Sequence, residues 1–209
     1  MANATNAFGL RPVRYMNGSP WTGQARHYYV PSTDNTALGI GDPVVIVGDS
    51  NDNEVVCLGG RFPPGTLSEV TRATLADGNY ITGVVVGVEA VSRDSTIYRE
   101  ASTERVVLVC DDRNVIFQVR DDGGAALTAD TVGLNAILIT GTLNSTTGLS
   151  GMKLDAGTGT APGADASYML QIIALSNIPN NEIGVGAVWD VRMNLHSYHQ
   201  TTDGALGVA

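Results

Sequence analysis

From residue 27 onward the chain alternates short β-branched runs with clusters of turn-forming residues. Runs of this length, bounded by Gly, Pro, Asn and Asp, are typical of β-strands. The strongest is Tyr80–Val91, in which Gly83 and Gly87 indicate bends or a close backbone approach. The pattern predicts a mainly β fold, a β-barrel or β-sandwich with few short helices, in a single unit over residues 27–195.

Two hairpins are predicted from the turn clusters between these runs. Val44–Val47 and Glu54–Leu58 flank a cluster of Asp, Ser and Asn, and Arg105–Cys110 and Val115–Arg120 flank a four-residue turn. In the second arm of the latter hairpin, apolar residues alternate with mostly polar ones. One face of that strand is therefore expected to be buried and the other wet.

The chain closes with two more predicted strands, Tyr168–Ser176 and Ala187–Leu195. Helical signals are weak. Thr66-x-x-Glu69 fits a capping box for one short turn, and Ala125–Asn135 is helix-tolerant for at most about two turns because it contains a glycine. The predicted core takes the inward apolar positions of the strands: Val45, Val47, Val56, Val84, Val86, Val107, Val109, Phe117, Ile137, Ile172, Trp189 and Val191.

Three segments fall outside the strand pattern. Residues 143–167 are rich in Thr, Ser, Gly and Ala and are predicted to form a long surface loop, and residues 196–209 a C-terminal tail. Residues 1–26 predict an extended N-terminal arm that docks through isolated anchors; the alternative is a first strand of the core. If the segment is an arm, deletion of residues 2–20 should leave the melting temperature of the β core nearly unchanged. The anchors proposed for interaction are Phe8, Leu10, Arg11, Val13, Tyr15 and Trp21.

Composition restricts the partners. The 209 residues carry a formal net charge of −9, and Lys153 is the one lysine among 12 basic residues. Nucleic-acid binding depends on clustered Lys and Arg, and no basic run is present to attract an anionic membrane. No apolar run is long enough to span a bilayer, and no signal-peptide pattern opens the chain. We therefore expect neither nucleic acid nor membrane as a partner.

Few residues are candidates for chemistry. Cys57 and Cys110 lie in apolar runs and are interpreted as buried thiols. The three histidines are separated, apart from His196 and His199, whose i, i+3 spacing would suit a metal only on a helix. We expect no metal, cofactor or catalytic residue.

Aspartate pairs at Asp111-Asp112 and Asp121-Asp122 leave calcium binding as an alternative to turn formation. Neither pair has the spacing of a twelve-residue calcium loop. Gly39-Ile40-Gly41 precedes a strand, which is the reverse of a nucleotide-binding loop.

Seven blocks, spread over nearly the whole chain, are distinctive as sequences: Asn6–Arg14, Tyr28–Val45, Ile81–Glu89, VVLVCDD (Val106–Asp112), Val132–Gly141, Gly148–Ser167 and WDVRMNLH (Trp189–His196). Together these blocks resemble a family of structural proteins of tailed bacteriophages.

The resemblance implies a non-enzymatic virion protein, made in the bacterial cytoplasm and placed on the outer capsid surface as a decoration or cement protein. Its implied partners are the major capsid protein and further copies of itself, as a homotrimer. Two alternatives remain open. One is a tail-tube, tail-terminator or connector protein of the same virion, and the other is a carbohydrate- or receptor-binding β domain, for which aromatic residues are scarce at 6%. A hydrolase has almost no support.

Overall fold

The protein is mainly β, as the sequence predicts. The computed structural model describes residue 3 and residues 5–198, and over these residues a single 3-10 turn, Ala129–Thr131, accompanies the strands. The strands are β1 Arg11–Tyr15, β2 Arg26–Val30, β3 Pro43–Ser50, β4 Val55–Cys57, β5 Gly60–Phe62, β6 Ser68–Arg72, β7 Gly83–Val88, β8 Arg105–Cys110, β9 Val115–Arg120, β10 Asn135–Ala136, β11 Leu138–Ile139, β12 Lys153–Leu154, β13 Leu170–Leu175 and β14 Val188–Met193.

Five strands close into a barrel in the order β2-β6-β3-β7-β8. The closing contact is a parallel pair between β2 and β6, and the other pairs are antiparallel. A cluster that includes Val44, Val70 and Val107 fills the barrel. Gly83 lets β7 approach β8, because a Cβ at this position would lie 2.6 Å from the carbonyl oxygen of Cys110.

The second element is a five-stranded sheet in the order β1-β9-β14-β13-β10. The two closing strands of the sequence pair with each other, β13 against β14, and β14 also pairs with β9. Trp189, Val191, Met193 and Leu195, which alternate along the last strand, are all buried, as predicted.

One apolar cluster joins the barrel to the sheet. Ile81, Val84 and Cys110 from the barrel side lie in the same cluster as Phe117 and Trp189 from the sheet. Burial of such side chains contributes roughly 1.5–3 kcal/mol each. The shared cluster therefore fixes the two elements against each other.

Both predicted hairpins are wrong. The chain passes from β8 in the barrel to β9 in the sheet through Asp111–Asn114, and the two strands do not pair. Both edges of each strand are already occupied, by β2 and β7 for β8 and by β1 and β14 for β9. Likewise β3 pairs with β6 and β7, while Val55–Cys57 forms a small hairpin with Gly60–Phe62.

The short helix expected at Thr66-x-x-Glu69 is absent, because Ser68–Arg72 is strand β6. Val70 is fully buried in the barrel, and tertiary packing of this β-branched side chain overrides the capping pattern. The helix-tolerant segment Ala125–Asn135 contains the short 3-10 turn and enters strand β10 at its end.

Most of the predicted core is buried, with two errors. Val47 and Val56 are 46% and 47% exposed, and Val45 and Val86 are half-buried. The register of β3 shifts between Ile46 and Ser50, so its apolar alternation no longer follows the core at Val47. Val56 lies on the exposed face of the short strand β4, between the buried Val55 and Cys57.

The prediction that one face of β9 is exposed to solvent is also wrong. Ile116 is 1% exposed and Gln118 is 8% exposed, although both point away from the shared cluster. Gln118 accepts a hydrogen bond from Arg11 of the neighbouring strand β1, 2.6 Å away. Side chains that reach across the sheet thus remove this face from most of the solvent.

The segment 143–167 is not simply a surface loop. It contains strand β12, and Met152, Leu154 and Ala156 are buried in the shared cluster. These alternating apolar positions are too few for a recognisable strand pattern, but they suffice to hold the middle of the segment inside the protein.

The N-terminal arm requires a correction as well. Arg11–Tyr15 forms β1, the edge strand of the five-stranded sheet, and Leu10 is 1% exposed in the shared cluster. The predicted boundary between an arm and a β unit at residue 26 is therefore wrong, because it cuts through the β fold. The alternative prediction, a first strand of the core, is correct for residues 10–15. The predicted C-terminal tail overlaps the described residues only at 196–198, where His196 is buried.

Arg99 holds one end of the barrel together. Its guanidinium is fully buried and donates hydrogen bonds to four backbone carbonyl oxygens, those of Pro31, Asp34, Thr36 and Thr103, at 2.5–2.8 Å. It thereby ties the loop after β2 to the segment before β8.

We expect Leu10→Ala to lower the free energy of unfolding by about 2–5 kcal/mol, because it opens a cavity in the shared cluster. Met16→Ala is the control: Met16 is 49% exposed, so its removal should change stability by less than about 0.5 kcal/mol. Urea unfolding checks both variants. Equal stability of Leu10→Ala and wild type would mean that the N-terminal segment is an arm that does not contribute to the stability of the core.

Arg99→Met should destabilise the protein by about 3 kcal/mol or more, since it leaves buried carbonyl oxygens without donors. Arg93→Met is the matched control, as Arg93 is exposed. Thermal unfolding followed by circular dichroism measures the difference. A melting temperature for Arg99→Met equal to that of the control would show that water replaces the guanidinium.

Candidate functional site

The N-terminal segment is held against the barrel by a close contact between two glycines. The backbone N–H of Leu10 donates to the carbonyl oxygen of Gly41 at 2.9 Å. Gly9 and Gly41 have φ of +68° and +97°, and a Cβ on either would lie 2.5 Å from a backbone oxygen of the other segment. This explains Gly41 in the Gly-Ile-Gly sequence as a docking position for the chain's own N-terminus.

The docked segment forms one wall of an apolar cleft of about 370 Å³. The barrel and the segment 143–167 supply the opposite wall. Such a cleft with few polar groups is typical of a binding surface for apolar side chains. The apolar cleft is lined by Phe8, Leu10, Arg11, Pro12, Trp21, Ile40, Val86 and Leu149.

Four of the six predicted anchors meet at this apolar cleft, although sequence reasoning did not predict that they would form it. Phe8 is half-buried, and the guanidinium of Arg11 lies 4.9 Å from the centre of its ring. The indole N–H of Trp21 donates to the carbonyl oxygen of Gln24. The structure thus brings together Phe8, Leu10, Arg11 and Trp21.

The other two anchors serve the chain's own fold. Val13 lies at the register shift of β1 and accepts a backbone hydrogen bond from Trp21. Tyr15 packs on the shared cluster, and its hydroxyl donates to Gln24. The described contacts of Val13 and Tyr15 are therefore made with other parts of the same chain and not with a partner.

A second, polar cleft of about 380 Å³ lies where the chain crosses from the barrel to the sheet. The carboxylate of Asp111 accepts a hydrogen bond from the Tyr28 hydroxyl at 2.9 Å, and Arg26 lies 3.5 Å away. Sequence reasoning considered Asp111 and His196 separately, because their proximity depends on the crossing. The lining residues are Arg26, Asp111, Asp112, Arg113, His196 and Tyr198.

His196 in this polar cleft is held as the neutral imidazole. Its Nε2 lies 3.0 Å from the carbonyl oxygen of Asp111, to which it donates, while its Nδ1 accepts the backbone N–H of Tyr198. Burial lowers the pKa of His196, and the nearby Arg113 lowers it further, against the opposing effect of Asp111. His199, which was considered with His196 as a metal pair and not expected to bind one, lies outside the described residues.

The aspartate pairs serve as local hydrogen-bond acceptors. Asp121 accepts from the backbone N–H groups of Gly123 and Gly186 and from the indole N–H of Trp189. Burial raises the pKa of Asp121 despite these hydrogen bonds. Asp112 accepts the backbone N–H of Asn114 in the crossing turn.

Among the described residues, no group of three or more His, Cys, Asp and Glu side chains is arranged to hold a metal ion. Cys57 and Cys110 are both free and buried, as predicted, and burial raises the pKa of Cys110 to about 12. No helix in the described ranges is long and apolar enough to cross a membrane.

Comparison with known proteins finds no matching family model, no matching curated protein and no matching solved structure.

We expect acidification from about pH 7.5 to about pH 5.5 to destabilise the protein through His196. As the pH falls below the ordinary value of 6.5, the unfolded chain binds a proton at this residue and the folded chain does not. Stability is present above that value and is lost at up to about 1.4 kcal/mol per pH unit. Thermal unfolding across this range measures the slope.

His196→Gln is the control, because it removes this titration while keeping a polar side chain. The difference between the slopes of wild type and variant isolates His196 from the other histidines. Identical slopes would mean that His196 binds its proton equally in the folded and unfolded states.

Proposed function

We propose that this chain is a non-enzymatic virion structural protein, a capsid decoration or cement protein that binds the outer head surface and clamps neighbouring major capsid subunits. The resemblance to tailed-phage structural proteins supplies the virion context. The observation that supports attachment to another protein is the apolar cleft formed by the N-terminal segment. Its wall contains Phe8 and Trp21 at a place open to solvent.

The apolar cleft suits an extended segment of a partner. Its volume of about 370 Å³ accommodates a few apolar side chains, not a globular surface. Ile40, Val86 and Leu149 are half-buried, so a partner that covers them removes further apolar area from water. A loop or terminus of the major capsid protein is the partner we propose.

The rigid attachment of β1 also suits a clamping role. Because Leu10 and Gly41 hold the segment in place, one wall of the apolar cleft is already ordered before a partner arrives. Ordering a free arm would cost about 1–2 kcal/mol per residue. Preorganisation reduces that cost for each of the many copies on a shell.

The test is binding of the purified protein to heads, prepared without it, of the phage whose genome encodes this chain. We expect the wild type to co-sediment with the heads and to give density on the outer shell by cryo-electron microscopy. Leu149→Asn should weaken this binding by about tenfold or more, because it places a polar group in the apolar cleft.

Val91→Asn is the control, since Val91 is 50% exposed and does not line the apolar cleft. It should bind as wild type does. Density confined to a sixfold tail ring would replace the decoration role by the tail-protein alternative. Equal binding of the Leu149→Asn variant would move the attachment site away from the apolar cleft.

A further inference from the structure

The outer surface of the five-stranded sheet is rich in arginine, although the protein as a whole is acidic. Arg11 and Arg14 of β1, Arg120 of β9 and Arg192 of β14 share this surface, as judged from strand register and alternation. Asp190 is the carboxylate among them. We call this surface the arginine face.

Of the arginines Arg11, Arg14 and Arg192 on this face, Arg14 is the one paired with a carboxylate. Arg14 donates to the carboxylate of Asp190 at 2.6 Å. Arg11 and Arg192 donate to the neutral amides of Gln118 and Gln171, at 2.6 and 2.8 Å. Their positive charges therefore add to the field of the surface.

Partial burial and nearby positive charges both act on the arginine face. Burial lowers the pKa of Arg192, and the neighbouring Arg113 lowers it further. Burial likewise lowers the pKa of Arg120, on which Asp121 and Arg11 act in opposite directions. Like charges held this close favour a partner that brings carboxylates.

A complementary surface lies on the barrel of the same chain. The carboxylates of Asp49, Asp52, Glu69 and Glu104 surround Tyr29 and the ends of β3 and β6; we call this group the acidic patch. Burial raises the pKa of Glu69, and Asp49 and Asp52 raise it further. Among residues 5–198 none of these four carboxylates forms an ion pair.

The two surfaces do not neutralise each other within one chain. The hydrogen-bond partners of Arg11, Arg14 and Arg192 lie in the sheet itself, and Glu104 accepts from Tyr29 in the barrel. Both surfaces are accessible to solvent: Arg11, Asp49 and Asp52 are exposed.

We propose that the arginine face of one copy binds the acidic patch of a second copy of this chain. The contact is heterologous, since two different surfaces meet, and repetition generates a closed ring or an open filament. A trimer is one such ring, so the proposal names the surfaces that the expected self-association would use, and it holds in solution without a capsid. The hydrogen bonds that fix Arg11 and Arg192 keep the ordering cost low.

The experiment measures self-association of the full chain by sedimentation velocity at low and high salt. We expect oligomers at about 10 mM salt and dissociation at about 1 M, because screening shortens the Debye length from about 30 Å to about 3 Å. Arg11→Glu and Asp52→Lys should each raise the dissociation constant by about tenfold or more.

Two controls match these variants in net charge. Arg93→Glu and Asp130→Lys lie outside both surfaces, at exposed positions, and should associate as wild type does. The double variant Arg11→Glu/Asp52→Lys restores opposite signs between the surfaces and should associate more tightly than either single variant. Circular dichroism verifies that every variant is folded.

Three outcomes would overturn the proposal. These are a wild type that stays monomeric at low salt, a double variant no tighter than the single variants, and control variants that weaken association as strongly as Arg11→Glu. If the protein stays monomeric and binds duplex DNA in a salt-sensitive way, the arginine face binds phosphate groups and not a second copy. Self-association is measured without heads, and head binding is tested with Leu149→Asn, which lies outside the arginine face. The two proposals therefore fail separately, although Arg11 also lines the apolar cleft.

Discussion

One crossing of the chain determines how the two halves of the protein are arranged. The polypeptide leaves strand β8 of the barrel and enters β9 of the sheet within Asp111–Asn114, without a hairpin between them. Both strands must therefore find other neighbours on each edge, since a buried strand cannot leave its backbone groups unpaired. The N-terminal strand β1 fills one such edge of β9, which places Arg11 and Phe8 beside the barrel.

The same crossing assembles the polar cleft. Cys110 ends β8 inside the shared cluster, and Asp111 follows directly at the surface of the junction. There its side chain meets Tyr28, and its carbonyl oxygen meets His196, which comes from the far end of the sequence. The polar cleft exists because the barrel and the five-stranded sheet meet at this one short turn.

Buried polar side chains hold together parts of this fold that the apolar pattern does not account for. Arg99 satisfies four carbonyl oxygens at the end of the barrel, and Asp121 anchors Trp189 and two glycine N–H groups in the sheet. Both charged groups are buried with their hydrogen bonds made, which is the condition under which burial is tolerated. Arg99 resembles the other scattered charges of the sequence, and Asp121 is noticeable only as half of an aspartate pair. In neither case does the sequence show which backbone groups the side chain will reach.

Local patterning by itself determined the β class, the positions of most strands and the alternation of Trp189, Val191 and Met193 toward the core. These features depend on side chains two residues apart, which a sequence displays directly. Long-range pairing decided the rest: β1 as an edge strand, β8 and β9 in different sheets, Met152 and Leu154 in the core, and the meeting of Phe8, Arg11 and Trp21 at one cleft. Such contacts join segments far apart in the chain, and strand propensity is the same whichever neighbour a strand finds, so only the folded structure selects among them.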